Sequence, residues 1–359
     1  MPIQELVVDR LRGLEHAELR LAPSISLIFG PNGSGKTSLL ESMFLLGRGR
    51  SFRTRSSDRL IRLGEPSLTV FGRTFGSPEH GLGVEVTRTD GVRGRVDGTD
   101  LTSLAELSGL LPIQAIDPDV HRLIEDGSYG RRRWLDWAVF HVEPSFGNLW
   151  SRFQRALKQR NALLRHQTGQ QTRAAGALEV WDAELLAHGS PLSGSRERVI
   201  AGIQPFWKDL VARLIAVPVD LTFFQGWPRE QTYGDALRAT LSRDEQRGLT
   251  SVGPQRADIA LRVHGKPARD VLSRGQQKLA AATLILAQLQ YLRATTSLRP
   301  TLLLDDPAAE LDDARLSQFI ETVQGLATQL VITSLRSDFA VFGQPEAVFH
   351  VEQGRVQQV

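Results

Sequence analysis

The sequence has no cysteine, and only two methionines, three tyrosines and five lysines among its 359 residues. Without cysteine there is no disulfide framework, no thiolate metal site and no cysteine nucleophile. The absence also fits a reducing compartment. Long apolar runs are missing too. The most apolar helical stretch, LAAATLILAQLQYL (279–292), is shorter than a bilayer requires and contains Gln288 and Gln290, so no segment is expected to span a membrane. MPIQELVVDRLRG at the N-terminus carries charge where a signal peptide needs an apolar core. No internal repeat, targeting signal or low-complexity segment stands out.

What is present is an ordinary globular balance, 41% hydrophobic and 23% charged, on a chain long enough for one large or two ordinary domains. The formal charge is only +3. The isoelectric point is nevertheless about 9.5, because arginine supplies most of the base. Its distribution matters more than its total. GRGRSFRTRSSDRLIR (47–62) holds Arg48, Arg50, Arg53, Arg55, Arg59 and Arg62 against one acid, Asp58, and a second cluster is Arg131, Arg132 and Arg133. Such runs read either as a polyanion contact or as a solvated face.

GPNGSGKTS (30–38) follows the apolar run ISLIF and fits the phosphate-loop pattern G-x-x-x-x-G-K-[ST]. Gly30, Gly33 and Gly35 permit a tight turn that aims backbone N–H groups at phosphates, and Pro31, Asn32 and Ser34 complete the loop. A helix starting at Lys36 adds its N-terminal partial charge. Lys36 is placed to reach the β- and γ-phosphates, and the Thr37 hydroxyl to hold Mg²⁺, with Ser38 next. Lys36 is also the only lysine before Lys158. A chain that uses arginine almost everywhere else has a compact ammonium here.

The fold class expected is α/β. ELVVDRL, AELRLA and ISLIF read as strands, KTSLLESMFLLG as a helix with Leu39, Leu40, Met43, Phe44 and Leu46 on its apolar side, and 68–97 as an antiparallel sheet. From 130 to about 215 helical spacing takes over, interrupted by the polar stretch RHQTGQQTR (165–173). Its aromatics, among them Trp134, Phe146, Trp150 and Phe153, read as core, with a base-stacking platform as the alternative. VDLTFFQGW is expected as a strand and DIALRV (258–263) as a strand re-entering the main sheet. The last hundred residues alternate helix and strand as a parallel core does, and close on a hairpin. The expected division is a head made of 1–120 and 251–359, with a mostly helical lobe, 121–250, inserted between.

Two further stretches bear on chemistry. TLLLDD (301–306) is a buried strand ending in acids. Asp305 is placed to hold Mg²⁺ beside a phosphate loop, and Asp306 to orient or deprotonate an attacking water. VLSRGQQK (271–278) offers a hydroxyl and N–H groups at a helix start, a second anion site that calls for another phosphate or another subunit.

VLSRGQQK resembles the signature of the ABC-type ATPases, L-S-G-G-Q, with Arg274 in place of the first glycine, and ELDD (310–313) resembles their D-loop. Within that class the chain resembles the RecF family of bacterial recombination mediators. The residues that carry this are GPNGSGKTSLLE with LGRGRSFRT, YGRRRWLDWAVFH, GPQRADIAL, LSRGQQK and LLLDDPAAELDDAR, spread over 30–315. The resemblance implies an ABC-type head with an inserted helical lobe, and ATP and Mg²⁺ as cofactors. Gly30 to Ser38 become the Walker A loop, Asp305 the Walker B carboxylate and Asp306 the catalytic carboxylate. Ser273, Gly275 and Gln276 become a signature that binds the γ-phosphate held by a partner copy, and Gln114, at the end of a strand in LLPIQAI, the loop glutamine. It further implies an ATP-dependent homodimer, binding to double-stranded and gapped DNA, a RecR-type mediator as partner, help in RecA loading, and a cytoplasmic, nucleoid-associated place.

The resemblance implies a weak, DNA-stimulated ATPase, and two departures from the wider class point to slow hydrolysis suited to a timed clamp. Asp306 is one methylene shorter than the usual glutamate, and Thr333 and Ser334 stand where transporter ATPases place a histidine. Gly13 and Leu14 depart from the family's polar or aromatic pattern, which counts against a nucleotide role for Arg12 and leaves it open. Two other readings stay open from the residues alone: a small-molecule phosphotransferase with the helical lobe as a lid, and a nucleotide-gated protein scaffold that does not touch DNA.

Overall fold

The structure is a computed structural model that describes residues 1–167, 176–307, 313–326, 328–335 and 342–359. The chain divides into two compact units, one made of Met1–Val120 and Thr296–Val359, the other of His121–Thr295.

Among the described residues the first unit holds two six-stranded sheets. One is antiparallel and runs in the order Leu14–Arg20, Ile3–Leu11, Ser67–Thr74, Gly81–Thr87, Gly91–Val96, Thr99–Asp100. Its strands alternate. Leu6, Val8, Leu68, Val70, Leu82, Val84 and Val86 turn inward, while the intervening residues face out or lie part-buried. This is the pattern of a sheet covered on one face. The other sheet runs Arg355–Gln358, Ala347–Glu352, Ile25–Phe29, Gln329–Ser334, Thr301–Leu304, Ile113–Ile116, and is parallel apart from the terminal hairpin. Every residue of Thr301–Leu304 and Gln329–Ser334 is buried, as in a sheet covered on both faces.

Helix Lys36–Arg48 joins the cores of the two sheets. It is buried around its whole circumference, including Glu41 and Ser42, and not only along the apolar side read from the sequence. Gly49 ends it in the left-handed conformation, with its N–H on the Leu45 carbonyl.

The second unit contains the helices Ser128–Val142, Phe146–Gln167, Ala177–Leu214, Tyr233–Arg247 and Arg274–Thr295. Trp134, Phe146 and Phe153 are buried among them and are core, while Trp150 is half-buried, stacked on Phe146 with the Arg196 guanidinium over its ring. Phe146–Gln167 and Ala177–Leu214 pack together: a Cβ on Gly189 would come within 3.0 Å of the Phe153 ring. Arg160, fully buried, bonds Asp182 at 2.5 Å and Asp244 at 3.0 Å. Arg196 is likewise buried and forks onto Asp136 at 2.7 and 2.9 Å. Residues 168–173 of the polar stretch lie outside the described residues.

Two expectations are corrected here. DIALRV does not return to the main sheet. It forms Asp258–Val263, the centre of a separate antiparallel sheet between Asp220–Phe224 and Lys266–Pro267. The return to the head also comes at Thr296 and not at 251, because this small sheet and helix Arg274–Thr295 belong to the second unit.

Candidate functional site

The parallel strands of the first unit all end on one side, and the phosphate loop leaves the end of Ile25–Phe29. The Gly30 N–H donates to the Ser334 carbonyl at 3.3 Å. Gly30 has φ 156°, and a Cβ there would lie 2.1 Å from the Val351 carbonyl oxygen, so only glycine fits. The C-terminal hairpin braces the loop from the same side, where the Gly354 N–H donates to the Ser34 carbonyl at 2.9 Å. Gly35, at φ 118°, leads into helix Lys36–Arg48.

Inside the loop the Lys36 ammonium donates to the carbonyls of Gly30 (2.7 Å) and Pro31 (2.9 Å). Burial lowers its pKa below the ordinary lysine value, and the carboxylates of Asp306 and then Asp305 act against that shift. The Ser34 hydroxyl is buried without a hydrogen-bond partner among the described residues. An orphaned hydroxyl in a glycine-rich loop at a helix start matches an oxyanion ligand.

Thr37 Oγ1 lies 3.0 and 3.1 Å from the two carboxylate oxygens of Asp305. Asp305 follows the strand Thr301–Leu304, and its own N–H donates to the Ile116 carbonyl at 2.9 Å. One hydroxyl and one carboxylate converge on a single point. That all-oxygen donor set suits Mg²⁺, which takes one or two carboxylates and completes its shell with water and phosphate.

Thr333 ties the acidic pair together. Its hydroxyl donates to Asp305 Oδ1 at 2.8 Å and accepts the Asp306 N–H at 2.9 Å. It is fully buried, so it braces the carboxylates from below and does not stand as a phosphate contact. Asp306 sits at φ 48°, the left-handed region that a non-glycine residue adopts only when its surroundings impose it. Here Thr333 supplies the restraint.

Gln114 is not at the strand end. It is level with Leu302, two residues before Ile116 and Leu304 close the pairing, and it is buried. The residue that emerges beside Asp305 is Asp117. Burial, then Asp119 and then Asp305 push its pKa up to about 6, while Arg53 pulls the other way. The sequence signal for it was available: IQAID has the same form as TLLLDD, a buried strand running into an acid.

The second unit carries the other motif. Ser273 and Gln276 form a capping box at the start of helix Arg274–Thr295: the Ser273 N–H donates to Gln276 Oε1 at 2.9 Å, and Ser273 Oγ faces the Gln276 N–H at 3.4 Å. Ser273, Arg274 and Gly275 are exposed, so the first free N–H groups of a 22-residue helix face outward. Glu310, Leu311 and Asp312 of the acidic ELDD stretch lie outside the described residues.

The basic candidates separate. Arg53 and Arg55 are exposed and Arg50 is half-buried. Arg48 is half-buried over the Phe44 ring and donates to the Ile113 carbonyl at 3.3 Å. Arg131 instead forks onto Asp258 at 2.8 and 3.0 Å and caps the carbonyls of Leu123, Ile124 and Asp126. Arg132 bonds Ser128 and the Ala257 carbonyl, and Arg133 lies over the Tyr129 ring, with burial lowering the pKa of both. Arg131 and Arg132 therefore hold their own unit together and are withdrawn as DNA candidates. Arg12 pairs with buried Glu41, which accounts for it without nucleotide.

The antiparallel and parallel sheets around a phosphate loop, with an acidic pair at the end of the next strand but one, define a RecF/SMC-type ATPase head. The chain matches the family RecF/RecN/SMC N terminal domain over residues 2–357. It is 38% identical over 365 residues to the DNA replication and repair protein RecF of Pseudomonas syringae pv. tomato, covering 100% of this chain and 98% of that one. The chain belongs to the RecF family. Its fold agrees with a solved structure of the recombination mediator RecF with ATP (TM-score 0.88, 24% identity, 100% of this chain and 97% of that one). It agrees more distantly with an Smc head bound to the C-terminal winged-helix domain of ScpA (TM-score 0.58, 14% identity, 100% and 97%).

Proposed function

We propose that the chain is an ATP-dependent DNA-binding protein of gap repair and replication restart, working as a clamp. Two copies close around two ATP molecules, hold duplex DNA beside a single-stranded gap, and part after a slow hydrolysis. The observation that carries the nucleotide half is the convergence of Thr37, Asp305, Thr333 and Asp306 beside the loop that holds Lys36.

In this scheme the N–H groups of residues 33–37 cradle the phosphates and Lys36 exchanges its loop carbonyls for phosphate oxygens. Thr37 and Asp305 would hold Mg²⁺, which when bound neutralises charge on the β- and γ-phosphates. Asp306, restrained by Thr333, accepts a proton from the attacking water or orients it. Its short side chain supports a slow step. The Ser273 hydroxyl and the outward Gly275 N–H receive the γ-phosphate held by the other copy. A small-molecule phosphotransferase would have no use for that exposed helix start.

The DNA half rests on Arg50, Arg53 and Arg55, and on kinship with DNA replication and repair proteins. A RecR-type mediator as partner, help in loading RecA and a place at the nucleoid follow from the same kinship. Sedimentation of the protein with and without ATP, and with and without gapped DNA, tests the whole scheme. A dimer is expected only with ATP, and co-sedimentation with DNA only for the dimer. A monomer at saturating ATP and DNA would reject the clamp.

A further inference from the structure

One fully buried carboxylate lies on the helix that begins at the phosphate loop and has no part in the proposed hydrolysis. Glu41 is 0% exposed. Arg12 approaches it with Nη2 2.9 Å from Oε1 and Nε 2.8 Å from Oε2. The Ser51 hydroxyl donates to the same Oε1. Ser51 Oγ in turn accepts the N–H groups of Arg53 at 2.9 Å and Thr54 at 3.0 Å. A hydroxyl has one proton to give and two lone pairs to fill, and here all three are used.

The far end of the same stretch is held by the backbone of Arg12. The Arg12 N–H donates to the Leu60 carbonyl at 2.8 Å, and Leu60 is buried. Residues 51–60 thus hang between Ser51, bonded to the Glu41 carboxylate, and Leu60, bonded to the Arg12 main chain. The arginines they display, Arg53, Arg55 and Arg59, are exposed. A buried ion pair contributes little net stability, and its best-attested use is to fix one arrangement over others. A loop that is fixed in advance loses less freedom when it meets a partner, so its charges bind more tightly.

We propose that Ser51, anchored on Glu41, is a positioning residue for polyanion binding. It fixes the loop that presents Arg53 and Arg55 and ties that loop to the helix carrying Lys36 and Thr37. The inference rests on the reading of the Arg-rich segment as a DNA contact.

The test is Ser51→Ala in the full chain with ATP and Mg²⁺, titrated with duplex DNA at one salt concentration. Loss of the shared hydroxyl is expected to weaken DNA binding about five- to tenfold, the scale of one hydrogen-bonding group, with ATP affinity unchanged. Hydrogen exchange at the Arg53 and Thr54 amides should quicken while helix Lys36–Arg48 keeps its protection. A parallel variant replaces Arg48, Arg50, Arg53 and Arg55 by Gln. If that variant loses DNA and Ser51→Ala binds like wild type, the inference fails and the DNA reading stands. If the arginine variant also binds normally, the DNA reading fails and takes the inference with it. If Ser51→Ala loses ATP binding as well, or exchanges faster throughout, Ser51 is a structural residue only and the inference is overturned.

Discussion

Thr37 Oγ1 lies 3.0 Å from Asp305 Oδ1, although the two residues stand 268 positions apart in the chain. The contact exists because Ile25–Phe29 and Thr301–Leu304 both flank Gln329–Ser334 in one parallel sheet and end on the same side. Everything proposed for the nucleotide depends on that juxtaposition, and Thr333 on the shared neighbour strand locks it.

Replacing Thr333 by Val keeps the shape and removes the hydroxyl. It removes the hydroxyl that accepts the Asp306 N–H and one of the two hydroxyls on Asp305 Oδ1, so stability should fall by about 1–3 kcal/mol. Hydrolysis should fall further than ATP affinity, because the loop itself is untouched. Urea unfolding together with single-turnover hydrolysis measures both. Unchanged hydrolysis would show that Asp306 does not need this brace.

Asp306→Asn should keep ATP and accumulate as a dimer, since the γ-phosphate bridge survives when water activation fails. Lys36→Met should stay monomeric. Sedimentation at saturating ATP and Mg²⁺ distinguishes them, and a monomeric Asp306→Asn would remove Asp306 from its catalytic role.

The basic residues should divide as the structure divides them. Each phosphate contact contributes roughly 0.9 to the log–log slope of DNA affinity against salt. Replacing Arg48, Arg50, Arg53 and Arg55 by Gln should flatten that slope. Arg131→Met should leave the slope alone and cost about 2 kcal/mol of stability, because Asp258 loses its partner. A flattened slope in Arg131→Met would return that residue to the DNA surface.

Asp117 predicts a pH dependence. Its folded pKa, pushed up to about 6, lies above the ordinary value of 3.8, so the folded state binds the proton more tightly. Its charged form therefore weakens the fold at neutral pH. The penalty fades as pH falls through about 6 and is gone below about 4. Wild type minus Asp117→Asn isolates this group from the other carboxylates. In Mg²⁺-free buffer the difference should be about 3 kcal/mol at pH 7 and fade out as pH falls to about 4. A difference independent of pH would mean the carboxylate is ordinary.

The nucleotide loop and the acidic strand end were legible because their chemistry dictates both residue type and spacing. A glycine whose Cβ would meet the Val351 carbonyl, and a strand buried on both faces, leave marks in sequence. DIALRV was legible as a strand and not as a member of a particular sheet, since alternation reports which face is buried and not which edge is paired. Arg131 was misread for a related reason. Charge in sequence does not reveal that Asp258, 127 positions away, consumes it. Gln114 lies two residues short of the strand end, where IQAID runs into its acid as TLLLDD does and Ile116 stands opposite Leu304.

The most direct test of the clamp is complementation between two inactive chains. Lys36→Met removes the phosphate-loop ammonium and Ser273→Arg blocks the exposed signature, so each alone should hydrolyse no ATP. In a mixed dimer one site combines both defects, while the other joins an intact loop to an intact signature. With heterodimer formation verified by co-purification through two different tags, mixing should restore part of the activity, most strongly near equal amounts. Heterodimers that form, bind ATP and stay silent at every ratio would contradict a site shared between copies and able to fire alone.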